Sequence, residues 1–417
     1  MEKSGKFRLT SLERNWILYD VGNSAFVLMV ATLIPIFFNA LAAAGGLSSV
    51  EYLAYWGYAS SAVTIITAVL SPILGTVADT KGFKRPIFIL CVFVGIVGCC
   101  AMGAVSAWLP FLVIFVIAKV GFSGSLVFYD SMLSDVTTPE RMDEVSSRGY
   151  AWGYIGSCVP FVVCLGLVLG AGSIGISQMT ALNLALLLTA AWWLLTTLPL
   201  LKSYKQLYYV EVEKHAVRQS FARIGHTLRH LPEDKQVFWF LLAFFCYIDG
   251  VYTIIDMATA YGTALGLDTT GLLLALLVTQ IVAFPSALIF GRLSNKYPSA
   301  KLIPVCIAAY AGIAVFAFFL TRQWQFWVLA VIVGMFQGGV QALSRSHFAK
   351  IIPPEKSGEY FGLFDICGKG ASFLGTMIVS VGSQLTGSAN VGVGSLILLF
   401  IVGFVLFRVS CRQGETA

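Results

Sequence analysis

The chain has 417 residues, 58% of them hydrophobic and only 12% charged, with a mean hydropathy of +0.83. A water-soluble globular chain carries about twice that share of charge, so a soluble enzyme or nucleic-acid-binding domain is excluded. The formal net charge of +6 needs another explanation, which the loops supply.

The start, MEKSGKFRLTSLERN, is polar, and the run from Trp16 to Ala44 is too long for the apolar core of a leader, so no cleaved signal is expected. At roughly 20 apolar residues per crossing, spans are predicted at 15–43, 52–78, 86–107, 109–135, 147–170, 176–201, 236–265, 270–292, 300–320, 323–350, 359–386 and 389–408. The expected fold is an all-α membrane protein of about twelve transmembrane helices in two pseudo-symmetric six-helix bundles. Loops such as VSAW, GAGSIGISQ and LGLDTTG, with the rest of their set, hold Arg322 as their single basic residue. The alternate set, including DTKGFKRP, TPERMDEVSSR and NKYPSAK, is rich in Lys and Arg. This asymmetry places both termini and the long central loop in the cytoplasm and accounts for the net charge without nucleic acid. The chain has no N-x-[ST] sequon, and with compact loops it suits a bacterial cytoplasmic membrane.

The central loop divides the chain into an N-terminal bundle, 1–201, a loop, 202–235, and a C-terminal bundle, 236–417. Within the loop, Val217, Phe221, Ile224, Leu228 and Leu231 share one helical face opposite basic residues. An amphipathic helix on the membrane surface fits this pattern, as does a helix packed beneath the bundles. The nine cysteines form no CxxC pair, and all but Cys411 lie in predicted spans, where Cys acts as a small hydrophobe. No disulfide, metal or cofactor is expected. His215, His226, His230 and His347 lack ligand spacing and are read as solvated.

The halves echo each other. Gly75, Asp79 and Lys84 after the second span correspond to Gly291, Asn295 and Lys296 after the eighth. Leu133-Ser134-Asp135 and Pro139-Glu140-Arg141 correspond to Leu343-Ser344-Arg345 and Pro354-Glu355-Lys356. Duplicated six-helix units are a recurring plan of secondary transporters. The loop GTVADTKGFKR resembles the signature loop of the major facilitator superfamily through Gly75, Asp79, Gly82 and Lys84, with Thr80 and Phe83 where basic residues are common. WILYDVGNSAF and FYDSMLSDVTTPERMDEVSSRGYAWGYIGS resemble one branch of it, the fungal autophagy-related vacuolar amino-acid effluxers and their bacterial relatives. Val21 and Gly22 replace that branch's usual Trp and Ala. The resemblance implies a two-bundle transporter whose first, fourth, seventh and tenth spans line a central cavity.

Charge inside a membrane costs about 2.5–3.5 kcal/mol per residue on insertion scales, so charged residues there face a cavity or a partner. Lys119, Ser123, Asp130 and Ser134 share a face, as do Asp249, Thr253 and Asp256; Gln337, Gln341 and Ser344; and Asp365 with Lys369. Asp20, Asn23, Lys119, Asp249, Gln337, Gln341 and Lys369 are the expected substrate ligands. Asp249 and Asp256 are the candidates for carrying a coupling proton. Asp79, Lys84, Arg85, Asp130, Asp135, Arg345 and Asp365 are read as a cytoplasmic gate or latch, although Asp365 and Lys369 also form a self-neutralising i,i+4 pair.

These residues point to a non-enzymatic secondary transporter of a small solute working by alternating access. The expected partners are that small-molecule substrate and the lipid bilayer, and the expected assembly is a monomer. Charges of both signs at mid-depth suit an amino acid. One rival is a multidrug or metabolite exporter, which would turn Trp152, Tyr247 and Tyr252 into the cavity. Another is a non-transporting receptor or scaffold, whose polar stripes would close on themselves.

Overall fold

Short polar side chains fix where the helices begin. Thr10 and Glu13 form a reciprocal capping box at the first helix, Ser48 and Glu51 another at the second span, and Asp268 caps the eighth through the Gly271 amide at 2.7 Å. The computed structural model describes residues 7–211, 224–227 and 229–415, without the side chains of 49, 50, 53, 259, 260, 263, 264, 269, 270, 273, 369–373 and 415.

The first span is two helices, Ser11–Ala31 and Leu33–Ala44. Pro35 explains the break, because it has no N–H for the Ala31 carbonyl. Then follow Ser49–Ala78, Lys84–Met102, Trp108–Ser131 with the short Leu133–Val136, Met142–Leu169 and Gln178–Ser203. The second half comprises Lys235–Ala264, Thr269–Leu293, Ser299–Phe318, Gln323–Ile351, Ser357–Thr386, and the pair Ala389–Gly394 and Ile397–Glu415. Among the described residues, eleven helices are long and apolar enough to cross a membrane. The remaining helix, Ser357–Thr386, is 30 residues long, carries Glu359, Asp365 and Thr376, and packs between the second and seventh spans. Protein on both sides makes its polar residues tolerable. It is the eleventh of twelve.

The first span packs on the fifth and sixth, and the third on the fourth and sixth; the seventh packs on the twelfth and eleventh, and the eighth on the tenth. The bundles join along two lines, the second span against the eleventh and the fifth against the eighth. In the central loop, Val217, Phe221, Leu228 and His215 lie outside the described residues. Ile224 is buried and Leu231 packs against the core. One expectation fails at His347, which is buried between Phe240 and Phe407 with Nδ1 3.2 Å from Ser299 Oγ.

Candidate functional site

On the face that carries the basic loops, the two seams between bundles are built on one plan. Gly82, at φ +80°, turns the loop after the second span and leaves Asp79 aimed at the start of the eleventh. Asp79 Oδ1 accepts the Gly358 N–H at 2.7 Å and Oδ2 that of Glu359 at 2.8 Å. Two otherwise unpaired amides at the positive end of a helix thus meet a carboxylate. Lys84, fully buried, donates to Ser357 Oγ at 2.9 Å and Asp135 Oδ2 at 3.3 Å, with Asp79 Oδ1 3.9 Å away. Burial pushes the Asp79 carboxyl up to about 7, against the pull of Lys84 and the two backbone donors. Gly75 and Gly358 permit this approach, since a Cβ on Gly358 would lie 2.6 Å from the Gly75 carbonyl oxygen.

In the matching seam, Asn295 Nδ2 donates to Glu144 Oε2 at 2.7 Å, and a Cβ on Gly291 would lie 2.8 Å from Ser147 Cβ. Glu144 follows Pro139 by the same five positions as Glu359 follows Pro354. Lys350 and Ser346 also reach across, each 2.6 Å from an Asp143 oxygen. Sequence reasoning missed Asp143, Glu144 and Lys350, although extending the repeat by a few residues would have found Glu144. Arg85, expected in the latch, is exposed and outside it. One helical residue of about 100° separates its direction from that of Lys84.

Between the seams Arg345 closes the floor. Its guanidinium is 2% exposed and donates to Asp130 Oδ1 at 2.9 Å, Ser146 Oγ at 2.9 Å and the Ser146 carbonyl at 3.0 Å. Trp16 and Tyr150 lie 4.7 and 4.3 Å beneath its charge, and Asp20 Oδ2 is 4.0 Å away. Every one of these partners belongs to the N-terminal half. Ser71 donates across to Asp365 Oδ2 at 2.7 Å, and Tyr154 to Gln341 Oε1 at 2.8 Å.

Several expected ligands are therefore engaged in structure. Asn23 donates to its own helix at the Tyr19 carbonyl, 3.1 Å away. Asp249, expected in the cavity, is 0% exposed; both carboxylate oxygens accept the Gly375 N–H at 2.9 Å, and Thr253 donates to it at 3.3 Å. It shares a helical face with Asp256, but the eleventh span covers that face at its depth. Lys369 has its side chain outside the described residues.

Further from the basic face, ionisable side chains on the fourth and seventh spans keep some exposure. Lys119 is half-buried, with its ammonium 4.7 Å from the centre of Phe122. Asp256 on the opposing seventh span is exposed and within electrostatic range of Lys119. Each lies roughly 12–17 Å from the end of its helix remote from the basic loops. Half-buried Tyr252 lies between this pair and the floor, within range of Asp256, Asp130, Asp365 and Arg345. Gln337 carries a buried Oε1 without a hydrogen-bond partner among the described residues. Of the aromatics a multidrug cavity would require, Tyr252 alone is in this position. Tyr247 is buried against Ser344 Oγ at 2.7 Å, and Trp152 lies edge-on to Phe284 at the fifth–eighth seam.

Two six-helix halves joined along matching seams define the major facilitator fold. Solved structures agree: the human organic anion transporter MFSD10 superposes with a TM-score of 0.72 at 14% identity, over 95% of this chain and 98% of that one. The transporter FucP in the outward conformation superposes at 0.71 with 16% identity, over 96% and 97%. The chain belongs to the vacuole effluxer Atg22-like family, whose pattern it matches over residues 11–416. It is 42% identical over 414 residues to the uncharacterized MFS-type transporter YxiO of Bacillus subtilis (strain 168), covering 98% of this chain and 97% of that protein.

Proposed function

We propose that this transporter carries a small zwitterion, an amino acid, by alternating access, and that the structure is its outward-open state. The observation that carries the reading is Lys119 on one half within electrostatic range of exposed Asp256 on the other, beyond the Arg345 contacts. A carboxylate and an ammonium on one small solute satisfy a lysine and an aspartate set on opposing bundles. Binding between the bundles would favour the rocking motion that carries the solute through. With the basic loops in the cytoplasm, Arg345 and the two seams are the inner gate. The family's description as effluxers supports export.

Asp256 is the carboxylate suited to exchange a coupling proton, being open to water. Asp249 is a brace between the seventh and eleventh spans. The test is counterflow of radiolabelled amino acids in proteoliposomes. Lys119→Ala and Asp256→Asn are each expected to lower flux about tenfold or more while thermal stability stays within about 1 kcal/mol, since Lys119 is half-buried and Asp256 exposed. Undiminished flux in both variants would remove the pair from the site.

A further inference from the structure

The segment after the sixth span does more than connect. Residues 204–211 lie across the signature loop and bond to it along their length. The Tyr204 hydroxyl, buried, donates to Asp135 Oδ2 at 2.6 Å, and the Leu207 and Tyr208 amides donate to Asp135 Oδ1 at 2.9 and 3.0 Å. Gln206 donates to the Ala78 carbonyl at 3.1 Å and accepts from the Gly82 amide at 3.0 Å. Val210 pairs with Thr80 as an isolated β-bridge, its N–H reaching the Asp79 carbonyl at 2.8 Å and its carbonyl accepting from Lys81 at 3.3 Å. Lys81 reaches Glu211 at 3.4 Å and sits 4.8 Å over the Tyr209 ring.

We propose that this strap is a positioning element of the transport cycle: it holds the N-terminal half of the inner latch in its closing geometry while the bundles are apart. When the basic face opens, Asp79 loses the Gly358 and Glu359 amides and Lys84 loses Ser357. Asp135 then keeps Lys84 in place only if Asp135 itself stays fixed. Of the four donors on Asp135, three come from the strap and the fourth is Lys84. The strap also grips the Ala78–Gly82 turn from which Asp79 projects. With the strap docked, the latch re-forms without reorganising buried charge. With it loosened, Asp135 and Lys84 must be repositioned at each closure, and the sealed state is less populated. Among the described residues, none of 204–211 bonds to residues 357–359, so the effect passes through Asp135, Lys84 and Asp79. It is independent of which solute is carried.

Hydrogen exchange of the full-length protein in nanodiscs tests this, read by mass spectrometry on the peptide containing Gly358 and Glu359. Tyr204→Phe removes one hydroxyl, and Gln206→Ala removes the turn contact and covers the case in which the first variant fails to fold. A single hydrogen bond shifts a two-state population by roughly three- to tenfold, so exchange at Gly358–Glu359 is expected to rise by that factor in either variant. In an Asp79→Ala background, where the latch is already broken, the same substitutions are expected to add nothing. Unchanged exchange at this peptide in both variants, or an equal rise with and without Asp79, would overturn the proposal. Equal rises would mean that the strap merely stabilises the fold.

Discussion

The two seams differ in charge although they share a plan. Where the second span meets the eleventh, a buried aspartate and lysine do the joining, and Asp135 is drawn in behind them. Where the fifth meets the eighth, the equivalent of Asp79 is the neutral Asn295, and the carboxylate sits on the helix-start side as Glu144, paired with Arg148. The duplication preserved the shape of the joint and a glutamate at each helix start, Glu359 in the first seam and Glu144 in the second, but set a neutral amide where the first seam has its aspartate. Buried charge adds little net stability when intact, yet is costly once a partner is removed. The first seam is therefore the one expected to respond to protons and to distant mutations, and the second the more passive hinge.

The largest effect should come from the residue both seams flank. Arg345→Met leaves buried Asp20 and half-buried Asp130 without their guanidinium, and a loss of about 3–5 kcal/mol is expected, measurable by thermal or denaturant unfolding in detergent. Arg345→Lys should rescue little, because one ammonium cannot reproduce the fork that reaches both Asp130 and Ser146. Asn295→Asp would give the second seam a second carboxylate facing Glu144. We expect the sealed state to lose about 1–3 kcal/mol, visible as faster hydrogen exchange at residues 142–147.

A pH titration sharpens the contrast. Asp79 sits at about 7 in the sealed state, against an ordinary value of 3.8, so the sealed state holds that proton more tightly than a hydrated aspartate does. Sealing is therefore favoured by Asp79 below pH ~4, and the advantage is lost as pH rises through about 7. Exchange at Gly358–Glu359 should slow from pH 7 toward 4, after correction for intrinsic chemistry, and Asp79→Asn should remove the dependence. The smallest effect belongs to Arg85→Ala, expected within about 0.5 kcal/mol because the side chain is exposed.

Much of the fold was legible because bilayer length and charged-loop alternation are strong constraints. The eleventh span was legible at 359–386 from its length, and the structure packs its polar residues between the second and seventh spans. Asp79 and Lys84 were singled out through the signature loop, and Asp130 and Asp135 through their place near the inner boundary; the structure brings Lys84 to Asp79 and Asp135, and Arg345 to Asp130. Asp249 was misplaced because helical spacing gives direction and not what covers it; Gly375, 126 residues later, decides that. The strap was invisible, since eight residues between spans carry no readable periodicity and several of its bonds run through its own backbone.

The proposed transporter is sealed at the basic face and open on the other. Its most direct test is modification of Asp256→Cys, in a chain otherwise stripped of reactive thiols, by a membrane-impermeant maleimide applied to oriented membrane vesicles. Labelling from the side opposite the basic loops, slowed by a transported amino acid, is the predicted result. Labelling in the absence of solute only from the basic side, or from neither, would contradict it.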